Sequence, residues 1–177
     1  MNGFDQAPVT IRPMHSQDVQ ALAGWERHAD PAFRSYDVGP LSADQAERLW
    51  QALSSPPGRR PYVAALGERV VGHLLLREVD PESGTAELGI MLDPSVIGRG
   101  LGRRILRQFA GYCAGCGLRR LTLEVVATNE RAQRAYRAAG FVTCGERWGE
   151  PAPGQPPVRI LRMETELRPE TFLQSEL

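Results

Sequence analysis

The residues best placed to do chemistry gather where three glycines at alternate positions, Gly98, Gly100 and Gly102, stand among Arg99, Arg103 and Arg104. An apolar run from Leu88 to Leu92 leads into them, and Asp93-Pro94 turns the chain. Leu101, Ile105, Phe109, Tyr112 and Cys116 then follow at the spacing of one helical face. Strand, glycine loop and helix in that order make an anion site. Glycine lets backbone N–H groups close on a ligand, a helix start offers unpaired donors, and arginine adds full charge. A dinucleotide fingerprint would need glycine where Arg103 stands, and a P-loop would need a lysine, which this chain lacks entirely. A phosphate-bearing ligand of another kind remains.

Other side chains with chemical potential are fewer. Glu87 precedes the loop on the same strand and, by alternation, faces away from Leu88 and Ile90. It is either a solvated charge or a proton acceptor. His73 lies amid Leu74 to Leu76 and reads as a core histidine. Cys113 and Cys116 form a C-x-x-C without two further ligands at suitable spacing, so they read as small hydrophobes and no metal is expected.

The elements that must position these groups alternate in type. Val9 to Arg12 reads as a short strand. Ser16 reads as the N-cap of a helix carrying Val19, Leu22, Ala23 and Trp25, which Asp30-Pro31 ends. Ser42 caps a second helix with Ala46, Leu49, Trp50 and Leu53 inward. Arg60–Leu66, Arg69–Val79 and Thr85–Leu92 form an antiparallel meander, its first turn being the Gly67-Glu68 hairpin signal. After the central helix come a strand over Leu118–Val126 and a helix from Asn129 that Gly140 terminates. Two closing strands, Phe141–Trp148 and Val158–Leu167, complete the chain. Gly89 inside its strand points to a β-bulge.

A chain of 177 residues with 21 basic and 21 acidic side chains suits one domain, 1–177, with an ordered core over about 9–167 and a tail over 168–177. Balanced charge leaves no general nucleic-acid footprint. No window is long and apolar enough for a membrane span, and three cysteines make no disulfide framework, so a cytoplasmic protein is expected. Monomer and homodimer fit the sequence equally.

Two motifs carry a resemblance. Gly100 and Gly102 fit the pyrophosphate loop Gln/Arg-x-x-Gly-x-Gly/Ala of the GNAT family of N-acetyltransferases, with Ile97 at the position where the family usually has Gln or Arg. Asn129, Ala132, Tyr136, Gly140 and Phe141 match the family segment Asn-x-x-Ala-x-x-x-Tyr-x-x-x-Gly-Phe at every position. The order of elements resembles the family from about Val9 to Leu167. The resemblance implies a central mixed, mostly antiparallel sheet flanked by helices, with the acyl-CoA loop between the fourth strand and the central helix.

It also implies acetyl-CoA as acyl donor and direct attack by a primary amine of a small molecule, amino acid or peptide. Ile90, Met91 and Leu92 would line the pantetheine arm. Ile97, Gly98, Arg99, Gly100, Leu101, Gly102 and Arg103 would hold the pyrophosphate, with Asn129 and Tyr136 completing the donor site. Tyr136 would protonate the leaving thiolate and Glu87 would take the ammonium proton through water. The acceptor pocket would draw on Trp25, Glu26, His28, Phe33, Arg34, Tyr36 and Trp148. The alternative is a non-catalytic acyl-CoA-binding regulatory module on the same fold.

Overall fold

The computed structural model describes residues 8–29, 37–150 and 154–168. Among them, seven strands form one sheet in the order β1-β2-β3-β4-β5-β7-β6. The strands are β1 (Val9–Pro13), β2 (Arg60–Leu66), β3 (Arg69–Asp80), β4 (Thr85–Leu92), β5 (Arg120–Val126), β6 (Val142–Gly149) and β7 (Val158–Glu166). Helices α1 (Asp18–Ala23) and α2 (Ala43–Ser54) precede β2, α3 (Leu101–Gly115) links β4 to β5, and α4 (Glu130–Ala138) follows β5. Every neighbouring pair is antiparallel except β4 and β5, whose connection through α3 makes them parallel. This is the mixed, helix-flanked sheet that the sequence implied.

Each face of the sheet carries its own layer. Leu101, Ile105 and Phe109 of α3 pack with Leu74, Leu76, Leu121, Leu123 and Met163 in the main core. Val19 and Leu22 of α1 and Ala46 of α2 pack against Val63 and Val70 on the opposite face. Burying a side chain such as Phe109 contributes about 1.5–3 kcal/mol.

Local signals explain most element ends. Leu66 pairs with Arg69 across a two-residue link in which Gly67 has φ 60°, as the hairpin reading requires. Ser42 accepts from the Gln45 N–H at 3.3 Å while Gln45 returns a bond to the Ser42 N–H at 2.8 Å, a capping box at the start of α2. The start of α1 differs from expectation. Gln17, not Ser16, is its N-cap, and it makes no side-chain cap bond. The buried Asp18 carboxylate instead accepts from the His15 N–H at 2.8 Å and from both Arg12 Nη atoms at 2.7 Å. The helix ends at Ala23, so Trp25 lies beyond it. The expected Asp30-Pro31 break and the tail beyond Arg168 lie outside the described residues.

His73 is 8% exposed, on the face shared with Val63 and Met91, its register partners. Its Nε2 is buried with no hydrogen-bond partner among the described residues, and burial pushes its pKa down to about 4. It is a neutral core residue at pH 7. An unfolded chain gains a proton at this ring as pH falls below about 6.5, whereas the folded protein resists until about 4. Stability is therefore lost across that window, by ~3 kcal/mol in full. His73→Leu should match or exceed the parent's stability at pH 7 and lose less between pH 6.5 and 4. Denaturant unfolding at several pH values checks this, and equal pH slopes in the two proteins would contradict it.

Candidate active site

The parallel pairing of β4 with β5 covers Thr85↔Arg120, Ala86↔Leu121 and Glu87↔Thr122, then stops. The junction is fixed at its closed end. The Gly84 carbonyl accepts from the Arg119 and Arg120 N–H groups at 2.7 and 3.1 Å, and the Arg119 guanidinium donates to the Ser83 and Glu82 carbonyls. Beyond Glu87, β4 stays with β3 as far as Leu92↔Gly72, while β5 stays with β7 as far as Val126↔Ile160. The strands part, and alternate N–H and C=O groups of Leu88 to Leu92 face a side with no strand partner among the described residues. Ile90 and Leu92 line this gap on the α3 face; Gly89 and Met91 lie on the other. Gly89 pairs regularly with Leu75, so the expected bulge is not there. The irregularity falls three rungs away, where Glu78 and Val79 of β3 oppose Ala86 and Glu78 takes φ 50°.

At the open end, the Asp93 carboxylate, 3% exposed, fixes the exit of β4. It accepts from the Ser95 N–H at 2.9 Å, the Ser95 hydroxyl at 2.8 Å and Arg69 Nη2 at 2.7 Å, while its own N–H donates to the Val71 carbonyl. Burial alone would raise this carboxyl's pKa. The Arg69 guanidinium and the Ser95 donors outweigh that and hold it below its ordinary value. Gly98 and Gly100 then take φ 85° and 75°, which side-chain-bearing residues rarely adopt. Gly102 is needed for another reason, since a Cβ there would stand 3.1 Å from Leu92 Cδ1. A Cβ on Gly72 of β3 would meet Leu92 Cδ2 at the same distance, so Leu92 is wedged between two glycines and α3 starts close against β4. Gly100 is the N-cap of α3 and supplies no side-chain cap, in contrast to α2. The first-turn donors of α3 keep their capacity for an anion. Gly98, Arg99, Gly100 and Arg103 are exposed; Ile97 and Arg104 are half-buried and Leu101 is buried.

The second motif is, first of all, a helix with both ends capped. The Asn129 side chain accepts from the Ala132 N–H at 3.1 Å. At the other end the Phe141 N–H donates to the Tyr136 carbonyl and the Gly140 N–H to the Arg137 carbonyl, each at 3.0 Å, with Gly140 at φ 97°. That is a Schellman motif whose apolar contact is the Tyr136–Phe141 ring pair, 6.0 Å apart. It fixes Tyr136, half-buried against the main core on the α3–α4 face.

The opposite face carries charge. Glu87 is ion-paired with Arg77, whose Nε is buried with no partner among the described residues. Across the gap, Glu124 accepts from Arg147 Nε and Nη2 at 2.9 and 2.6 Å, and this grip holds its carboxyl below the ordinary range. Glu124 was not singled out in the sequence. Its signal is alternation, which sets it outward between Leu123 and Val125, two residues past Thr122, the last β5 residue paired with β4.

The expected acceptor residues are dispersed. Trp25 packs into the α1–α2 core and its indole N–H donates to the Val70 carbonyl at 3.2 Å. Glu26 is exposed just past α1. His28 Nδ1 lies 2.5 Å from Asp37 Oδ1, and its N–H also donates to that carboxylate. Trp148, 72% exposed, shares a face of the sheet with Arg159 and Leu161, opposite Trp25. Phe33, Arg34 and Tyr36 lie outside the described residues.

Residues 21–141 match the model of the Acetyltransferase (GNAT) family. The chain belongs to this family. It is an acetyl-CoA-dependent N-acetyltransferase. Over 148 residues, covering 81% of this chain and 84% of the relative, it is 34% identical to the N-alpha-acetyltransferase RimI of Mycobacterium tuberculosis. It also resembles a solved structure of spermidine N-acetyltransferase from Vibrio cholerae in complex with CoA and spermine. The TM-score is 0.76 at 20% identity, covering 94% of this chain and 98% of that one. A chimera of the Vibrio cholerae enzyme and hSSAT gives 0.76 at 21%, with the same coverage. At those identities the likeness concerns the fold. No helix among the described residues is long and apolar enough to cross a membrane.

Proposed function

We propose that this acetyltransferase acts on the α-amine at the N-terminus of a peptide or protein, with the acyl donor laid through the gap between β4 and β5. Backbone N–H groups from Gly98 to Arg103 take the diphosphate, with Arg99 and Arg103 beside them, while Ile97 gives only apolar contact. Free main-chain groups of Ile90 to Leu92 pair with the amides of the pantetheine arm. The thioester then sits where the sheet is open to both faces.

Chemistry is divided between those faces. The amine approaches from the α1–α2 face, where Glu87 and Glu124 flank the gap, and its surplus proton leaves through water to this pair. As the C–N bond forms and the C–S bond breaks, the thiolate departs toward the α3–α4 face and the Tyr136 hydroxyl gives it a proton. A phenol with a reference pKa of about 10 stays protonated at pH 7 and can donate. Asn129 acts at one remove by capping the helix that carries Tyr136.

The observation that carries the choice of acceptor is that both carboxylates are held by arginines. A polyamine needs several uncompensated carboxylates; an α-amine brings one cation and loses it on reaction. The 34%-identical RimI relative supports the same choice.

Three outcomes follow. Thiol release should be faster, by kcat/KM, with an alanine-initiated peptide than with spermidine, and the reverse order would overturn the acceptor assignment. On the peptide, Tyr136→Phe should lower kcat by roughly ten- to a thousandfold with acetyl-CoA affinity little changed. The double substitution Glu87→Gln with Glu124→Gln should lower kcat on the peptide at pH 7 by roughly tenfold or more. Parental kcat in that variant, or in Tyr136→Phe, with chemistry limiting, would remove those groups from the mechanism.

A further inference from the structure

We infer that Arg162 reads a carboxylate on the acceptor, so the preferred acceptor is a peptide N-terminus with an acidic residue close behind its α-amine. The inference rests on the peptide reading above and adds the chemistry of the acceptor's next residues. Arg162 lies exposed on β7, on the face that carries Glu87 and Glu124, with Glu124 as its partner on β5 and Gly145 as its partner on β6.

Each neighbour that might neutralise Arg162 is occupied or missing. Glu124 is bound through both oxygens by Arg147, and Arg162 adds only a longer-range charge interaction to it, without an ion-pair contact. Gly145 has no side chain, and it faces Arg162 because the register slips at Cys144, an extra residue between Thr143 and Gly145. Along β7 on the same face, Ile160 is buried and apolar, while Glu164 lies 3.7 Å from Arg120. Glu87 is paired with Arg77. Among the described residues, the Arg162 guanidinium makes no hydrogen bond or ion pair. This end of the face therefore holds three guanidiniums, of Arg77, Arg147 and Arg162, against two carboxylates, of Glu87 and Glu124.

An exposed guanidinium beside the point of amine entry favours an acceptor that carries negative charge and repels one with a second ammonium. The fork geometry of arginine suits a carboxylate in particular. A single partly solvated ion pair is worth up to about 1 kcal/mol, a factor of about five.

The test compares kcat/KM, by thiol release, for three peptides of equal length that begin Ala-Glu, Ala-Gln and Ala-Lys. The proteins are the parent, Arg162→Gln and Arg162→Glu. The parent should prefer Ala-Glu over Ala-Lys by about fivefold, chiefly through KM, and less at high salt. Arg162→Gln should bring the ratio near one, and Arg162→Glu should reverse it. A parent preference for Ala-Lys, or a ratio unchanged by both substitutions, would overturn the role of Arg162. Should Arg162→Glu melt early, Arg162→Gln alone decides. A parent that turns over spermidine but none of the peptides would remove the peptide reading and this inference with it; peptide turnover with an unchanged ratio would remove this inference alone.

Discussion

Parallel pairing between β4 and β5 is the constraint on which the rest of this molecule depends. A continuous ladder there would close the sheet and satisfy every backbone group. Instead the ladder ends at Glu87↔Thr122, while each strand remains tied to its outer neighbour. Among the described residues, the open stretch leaves polar main chain without a strand partner in the middle of a sheet, a costly arrangement unless a ligand with amides of its own completes it. The closed end, pinned by Gly84 and Arg119, keeps the two halves from sliding.

The same divergence explains why the loop after β4 must be rigid. A gap between strands positions an elongated ligand along its length only if one end is held. Asp93, bound by Ser95 and Arg69, and Leu92, wedged between Gly72 and Gly102, fix where α3 begins relative to the gap. The uncapped first turn of α3 then presents its donors at a set distance from the open strand edge. Tyr136 is fixed from the other side by a helix capped at both ends. On the proposed reading, the reacting bond would lie between groups on opposite faces of one sheet.

Much of this was legible in the sequence because the signals are local. Gly98 and Gly100 report positive φ, and the spacing from Asn129 to Gly140 and Phe141 reports the length of a capped helix. The strand ends of the meander follow from turn residues and alternation. What the sequence withheld is non-local. Nothing in it says that β7 inserts between β5 and β6, yet that insertion brings Arg162 beside Glu124. Nothing says where the β4–β5 ladder ends, or that Arg77 and Arg147 occupy the two carboxylates. Trp25 and Trp148 looked alike as pocket aromatics, but register puts them on opposite faces. Gly89 points to a bulge because glycine is unusual in a strand, yet the irregularity belongs to the neighbouring β3, where Glu78 adopts positive φ without glycine.

Hydrogen exchange resolved to single amides, with and without saturating acetyl-CoA, tests the central claim most directly. If the open edge of β4 and the glycine loop hold the acyl donor, ligand should slow exchange at the gap-facing amides of Leu88 to Leu92 and at Gly98 to Arg103. The β2–β3 hairpin, closed by the Leu66↔Arg69 pair, should be unaffected near Gly67. Protection that leaves Leu88 to Leu92 unchanged, or that appears only at the closed end around Ser83 and Arg119, would contradict the account.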